Sequence, residues 1–224
     1  MAITPKEFEG LRNAMKSICD KYGNDIVIIG GWATYFHTNG EMTGDIDMMI
    51  SHTIQSQFRK DYKNPKLSKE GFVCPTGDDV DVYVAYQNKL KVDYPVISGL
   101  AEKIEGFNVA CVEHLIVLKL AAARGREHTS KGQKDARDIM RLLALPNTKF
   151  KNKEILGTYL NDEDWQFMKD IASNVDVCSD ITGNVMTAKK LSATCCSKLK
   201  YLETSAALYL VNESKIVTKR QNEI

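Results

Sequence analysis

The fold of this chain is decided by two stretches, DIVIIGGWATYFH at residues 25–37 and TGDIDMMI at residues 43–50. The first is a run of mostly β-branched residues that ends at a glycine pair, Gly30 and Gly31. Such a run predicts a buried strand, and the glycines after it predict a tight turn into a helix. The second stretch begins with alternating acidic and apolar residues, which predicts another strand.

Two carboxylates mark the second stretch as a candidate metal site. Asp45 and Asp47 are separated by one residue, so on a strand both point to the same side, about 7 Å apart. Neighbouring carboxylates repel each other unless a cation or water lies between them. Mg²⁺ takes oxygen ligands and keeps positions open for phosphates. The alternative interpretation is a solvated polar face on an edge strand.

A third carboxylate is expected from the next alternating run, residues 79–86, where Asp79 and Asp81 share one face. If this strand lies beside the first, one of the two comes within about 5 Å of the earlier pair. Three carboxylates from two strands can hold two Mg²⁺ ions about 4 Å apart, an arrangement that serves phosphoryl transfer. Asp81 is preferred because it lies in the most regular part of the run, and Asp79 is the reserve candidate.

The glycine turn is a candidate phosphate site. Backbone N–H groups of Gly30 and Gly31 can approach an anion at the start of the following helix. The alternative is a tight strand-to-helix connection without a ligand. Trp32 could stack on a base or pack in the core, and Thr34 could supply a hydroxyl to the nucleotide.

The remaining pattern predicts an α+β fold, with a mixed sheet flanked by helices and then a C-terminal helical bundle. Residues 91–96 are predicted to form the return strand of a hairpin, and helical spacing begins after Val112. We expect a first domain at residues 1–146 and a helical domain at residues 147–224.

Composition excludes some classes of function. The 224 residues include 30 Lys and Arg and 29 Asp and Glu, which gives a net charge of +1. This charge does not predict non-specific electrostatic binding to nucleic acid over a broad surface. No apolar run is long enough to span a membrane, and the first residues lack a secretory signal. Six cysteines without a Cys-x-x-Cys pair predict reduced thiols and a cytoplasmic protein.

The ordered combination of Gly30-Gly31, Asp45-Ile46-Asp47 and Asp81 resembles the DNA polymerase β-type nucleotidyltransferase superfamily. The resemblance implies a Mg²⁺-dependent enzyme, with two ions, that moves a nucleoside monophosphate from a nucleoside triphosphate such as ATP to a hydroxyl acceptor. It implies that Asp45 and Asp47 bind the metals. Asp81 would share a metal and assist deprotonation of the acceptor.

A later segment is similar to the AbiEii-type branch, which contains toxin nucleotidyltransferases of toxin–antitoxin pairs. The matching residues are Glu113, Lys119, Ala122, Arg124, Lys134, Asp135 and Asp138. This likeness implies that Lys119 contacts the nucleotide phosphates, that the acceptor is tRNA, another RNA or a protein, and that an antitoxin protein is a partner. From spacing alone, Asp135 and Asp138 are expected to pair with Lys134, Arg137 or Arg141.

Two alternatives stay open at this stage. The sequence Gly-Gly-Trp-Ala at residues 30–33 is more like the antibiotic nucleotidyltransferases, whose acceptors are aminoglycosides or lincosamides. The chain could also be a catalytically inactive module that binds a nucleotide or a protein.

Overall fold

The computed structural model describes residues 3–62, 66–67, 72–73, 80–88 and 90–221. The helices are α1 (Pro5–Tyr22), α2 (Gly30–Thr38), α3 (Gln55–Asp61), α4 (Tyr94–Gly99), α5 (Val112–Arg124), α6 (Ser130–Leu143), α7 (Glu154–Tyr159), α8 (Asp162–Ser173), α9 (Val175–Thr182) and α10 (Val185–Gln221). The strands are β1 (Ile26–Ile28), β2 (Ile46–Ile50), β3 (Lys66–Leu67), β4 (Phe72–Val73), β5 (Val80–Val84), β6 (Glu102–Ile104) and β7 (Phe107–Val109).

The described strands form one mixed sheet in the order β3-β4-β5-β2-β1-β7-β6. The interior strand β1 pairs antiparallel with β2 and parallel with β7. Strand β5 pairs parallel with β2, on the side of β2 away from β1. The predicted α+β architecture, a mixed sheet with helices followed by a helical region, is therefore confirmed.

Local sequence explains the elements that frame the sheet. Helix α1 begins with a capping box in which Thr4 accepts from the Glu7 backbone N–H and the Glu7 carboxylate accepts from the Thr4 N–H. All three residues of β1 are buried, as expected for a central strand covered on both faces. In β5 the buried residues alternate with half-buried Asp81 and Tyr83, so one face packs in the core and the other is available for chemistry.

The chain forms two compact units, residues 1–118 and 119–224. The first contains the sheet. In the second, α10 packs against α7, α8 and α9. The division falls inside α5, whereas the predicted domain boundary lies at residue 146, after α6. The observed division and the predicted boundary both place the strands in the first part of the chain and helices α7 to α10 in the second.

The predicted return strand at residues 91–96 is wrong. The described part of this segment runs irregularly to Asp93 and then enters α4, which has Pro95 in its first turn. Proline at the start of a helix is favoured because it has no N–H to leave unpaired. Strand β5 pairs with β2 and β4 instead of forming the expected hairpin.

The described cysteines agree with the expectation of reduced thiols. None of the described cysteines forms a disulfide; they are Cys19, Cys111, Cys178, Cys195 and Cys196, and Cys74 lies outside the described residues. Burial raises the pKa of the Cys195 thiol to about 12, so it stays protonated and unreactive at neutral pH. In the described residues, none of the helices combines the length and the apolar character needed to cross a bilayer.

Candidate active site at the glycine turn

The structure brings two of the predicted carboxylates together through strand register. In the parallel pairing of β2 with β5, Asp47 lies directly opposite Asp81. Residues paired in this way project from the same face, with backbones about 4.8 Å apart. Their neighbours Ile46 and Val80 are fully buried on the other face, which fixes the orientation of both acidic side chains.

The glycine turn lies directly against Asp47. The Ile29 N–H donates to the Asp47 carbonyl oxygen at 3.0 Å, so the pairing of β1 with β2 continues to the start of α2. Gly30 has a φ of +63° there, and a Cβ at this position would lie 2.0 Å from the Asp47 Oδ2 atom. Only glycine satisfies both the backbone conformation and this close approach.

A second contact joins the turn to Asp45. A Cβ on Gly31 would lie 2.7 Å from the Thr43 Oγ1 atom. The Thr43 hydroxyl is buried and donates to the Asp45 Oδ1 atom at 2.5 Å. Thr43 is therefore a positioning residue that sequence reasoning missed. The available signal was a threonine two residues before the first aspartate, where its hydroxyl can reach that carboxylate.

Metal binding at this site depends on how close the carboxylates lie to one another. Asp45, Asp47 and Asp81 are all half-buried, and the reserve candidate Asp79 lies outside the described residues. Within the described ranges, no group of three His, Cys, Asp or Glu side chains is close enough to hold a metal ion. Mg²⁺ does not require such a group, because it binds through one or two carboxylates together with waters and substrate phosphates. The all-oxygen donor set and the Asp47–Asp81 register fit that mode.

Trp32 packs in the core. Its indole is fully buried and stacks on the Phe8 ring, with ring centroids 4.1 Å apart and an interplanar angle of 11°. Tyr35 and Phe36 also contact it. Of the two interpretations from sequence, core packing is the one the structure shows.

The Thr34 hydroxyl is also turned inward. It is 2% exposed and donates to the Gly30 carbonyl oxygen at 3.1 Å, one helical turn back. This bond favours a structural role in the first turn of α2. The nucleotide contact expected for Thr34 stays a prediction.

Lys119 belongs to the second unit and sits among buried carboxylates. It is 8% exposed, and its Nζ atom lies 3.0 Å from Asp135 Oδ1 and 2.8 Å from Asp138 Oδ2. Arg126 and Arg141 complete this group, pairing with Asp135 at 2.6 Å and Asp138 at 3.4 Å. We call these five residues the buried ion network.

Three residues singled out in the sequence meet in the buried ion network. Lys119, Asp135 and Asp138 come from two successive helices and meet in one cluster. Pairing of Asp138 with Arg141 was among the expected contacts, but the pairing of both aspartates with Lys119 was not. The contact of Lys119 with a nucleotide stays a prediction.

We expect Gly30→Ala to destabilise the protein and displace Asp47. The alanine would combine a left-handed φ, which costs on the order of 1–3 kcal/mol, with a clash against the Asp47 carboxylate. Gly23→Ala is the matched control, because Gly23 has a φ of +57° and its added Cβ would meet no neighbouring atom within 4 Å. Denaturant unfolding should show a clearly larger loss for Gly30→Ala, and equal losses would contradict the close approach.

Comparisons with known proteins support the fold. No protein-family model and no curated protein sequence matches this chain. Among solved structures, it is similar to JHP933 from Helicobacter pylori, with a TM-score of 0.54 and 14% identity over 95% of this chain and 100% of that one. A second H. pylori protein, provisionally assigned as a nucleotidyltransferase, has a TM-score of 0.51 and 17% identity over 90% of this chain and 98% of that one.

A third structure, an antigenic nucleotidyltransferase-like protein from Paracoccidioides brasiliensis, is 19% identical over 82% of this chain and all of its own, with a TM-score of 0.47. At the identities of the two H. pylori proteins, the likeness concerns the fold alone. The chain has the α+β fold of these two H. pylori proteins.

Proposed function

We propose that this chain is a Mg²⁺-dependent nucleotidyltransferase that moves a nucleoside monophosphate from a nucleoside triphosphate to a hydroxyl acceptor and releases pyrophosphate. The observation that carries the proposal is the register of β2 and β5, which sets Asp47 beside Asp81, together with the contact of Gly30 against Asp47. A strand-to-helix turn and paired carboxylates thus occupy one small region at the ends of the neighbouring strands β1, β2 and β5.

The metal ligands in this proposal are Asp45, Asp47 and Asp81, with no more than two of them on one ion. Thr43 supports the first by donating to Asp45 Oδ1. Bound Mg²⁺, in one or two ions, would neutralise charge on the phosphates and on the attacking and leaving oxygens. A cation between Asp47 and Asp81 would also offset the repulsion between two neighbouring negative charges.

The glycine turn would bind the phosphates of the donor nucleotide. Helix α2 begins at Gly30 without a side-chain cap, and its first backbone N–H groups carry the positive end of the helix dipole. Anions bind readily at such an end. Burial of the Trp32 indole keeps that bulky side chain away from the exposed side of the turn.

Asp81 is the proposed base. The acceptor hydroxyl oxygen forms a bond to the α-phosphorus while the bond from that phosphorus to the bridging oxygen breaks. Pyrophosphate leaves with the electron pair of the broken bond, and the hydroxyl proton passes to the Asp81 carboxylate. Val80 and Val82, on either side of Asp81, are buried in the core. This burial keeps the Asp81 carboxylate on the same face as Asp47.

For the acceptor we propose RNA, tRNA being one candidate, and for the setting a cytoplasmic toxin-like protein with an antitoxin partner. The support is the AbiEii-type spacing of Lys119, Asp135 and Asp138 in the sequence. A small-molecule acceptor, or nucleotide binding without turnover, would be seen as distinct outcomes of the test below.

The test is transfer of label from each α-³²P nucleoside triphosphate to total RNA in the presence of Mg²⁺. We expect labelled RNA on a denaturing gel, release of pyrophosphate, and loss of both on addition of EDTA. Label on an aminoglycoside or lincosamide but not on RNA would overturn the proposed acceptor. Nucleotide binding by calorimetry with no pyrophosphate release for any acceptor would overturn the enzymatic proposal.

A further inference from the structure

The second unit contains a cleft that the proposed function does not use. It has a volume of about 430 Å³ and lies among the end of α5, the start of α6, and helices α8 and α9. This size is within the range of pockets that bind small molecules. We propose that this cleft binds a small organic cation with an apolar body.

The floor of the cleft is apolar. It is lined by Ala123, Ala136, Phe167, Ile171 and Val177. Three of these, Ala123, Ala136 and Ile171, are buried in the unit and give a fixed surface, while Phe167 is half-buried and offers part of its ring. A ligand therefore gains from bringing an apolar or aromatic group into the cleft.

The rim of the cleft is acidic. Its charged lining residues are Glu127, Asp170, Asp176 and Asp180, and the described residues that line it include no lysine or arginine. Arg137 lies 3.7 Å from the Asp180 carboxylate and offsets that charge. Among the described residues, neither Glu127 nor Asp176 forms an ion pair. At least two carboxylates without an ion-pair partner among the described residues thus border an apolar floor.

This combination selects the charge of the ligand. A cation gains from several carboxylates at a surface where the effective dielectric constant is lower than in water, whereas an anion is repelled. A metal ion would gain nothing from the apolar floor. The described residues also contain no group of three acidic, His or Cys side chains able to hold one. An amine joined to an aromatic or aliphatic body matches both parts of the cleft.

The test uses three probes of one shape and different charge: tryptamine, the neutral tryptophol, and indole-3-acetate. Binding to the full-length protein is measured by calorimetry and by NMR of the ligands. We expect tryptamine to bind about tenfold or more tightly than tryptophol, and indole-3-acetate to bind least. Equal affinities for tryptamine and tryptophol would overturn the proposal.

Variants separate this site from general attraction to an acidic surface. Glu127→Gln/Asp170→Asn should weaken tryptamine binding about tenfold. The matched control, Glu9→Gln/Asp162→Asn, removes the same charge from exposed positions outside the cleft and should have little effect. Equal effects of the two double variants would overturn the proposal.

Two further measurements address the floor and the rival ligand. Ala136→Phe would fill the cleft, and circular dichroism confirms that the variant is folded. Loss of tryptamine binding is expected, and unchanged binding would contradict the location. Displacement of tryptamine by millimolar Ca²⁺ or Mg²⁺, but not by Na⁺ at equal ionic strength, would overturn the organic cation in favour of a metal ion.

Discussion

Replacing Asp47 with asparagine is expected to lower Mg²⁺-dependent nucleotidyl transfer by about a hundredfold to a thousandfold. Asparagine keeps the shape of the side chain against Gly30 but removes the charge that would hold the metal beside Asp81. Metal stabilisation of the transition state contributes several kcal/mol, and each 1.4 kcal/mol corresponds to about a tenfold change in rate.

The measurement is the initial rate of label transfer from an α-labelled triphosphate, with the melting temperature recorded in parallel. Asp20→Asn is the matched control, because Asp20 is exposed on α1 and pairs with Lys16 one helical turn away. We expect the control to retain full activity. A rate for Asp47→Asn within a factor of two of the unchanged protein would refute the proposed metal site.

The largest loss of stability is expected from Lys119→Met. Methionine resembles the lysine stem in length but leaves Asp135 and Asp138 buried with less positive charge around them, and both carboxylates are under 4% exposed. Removing one partner of a buried ion pair typically costs about 3–5 kcal/mol. Urea unfolding of the purified protein measures the loss.

A double variant tests whether the charge itself is responsible. Lys119→Met/Asp138→Asn removes one of the carboxylates that lost its partner, so it should recover part of the stability. The exposed Lys131→Met on α6 controls for the loss of a lysine and should change stability by less than about 0.5 kcal/mol. A loss below about 1 kcal/mol for Lys119→Met would mean that the network contributes little.

The elements around the candidate site were predictable because local pattern and burial agree there. The β-branched run before Gly30 forms β1. The alternating polar and apolar residues around Asp81 form β5, in which half-buried residues alternate with buried ones. From the sequence, the pairing of Asp47 with Asp81 could be predicted only on the condition that their two strands are neighbours. Strand order and register depend on contacts between distant segments of the chain. The structure supplied that condition.

The remaining differences have equally specific causes. The prediction of a return strand at residues 91–96 is wrong because the proline in the first turn of α4 favours a helix more strongly than the weak alternating pattern favours a strand. The contact of Thr43 with Asp45 depends on side-chain direction, and the pairing of Asp135 with Lys119 depends on how α5 and α6 pack. Spacing along one helix could suggest Arg141 as a partner but could not reveal Lys119.

The stacked Trp32 has a practical consequence for spectroscopy. The chain has two tryptophans, and each unit contains one, Trp32 in the first and Trp165 in the second. Both indoles are buried, so each should emit at short wavelength when folded and shift to the red on unfolding. Fluorescence of single-tryptophan versions of the chain would therefore report whether the two halves melt together or one after the other.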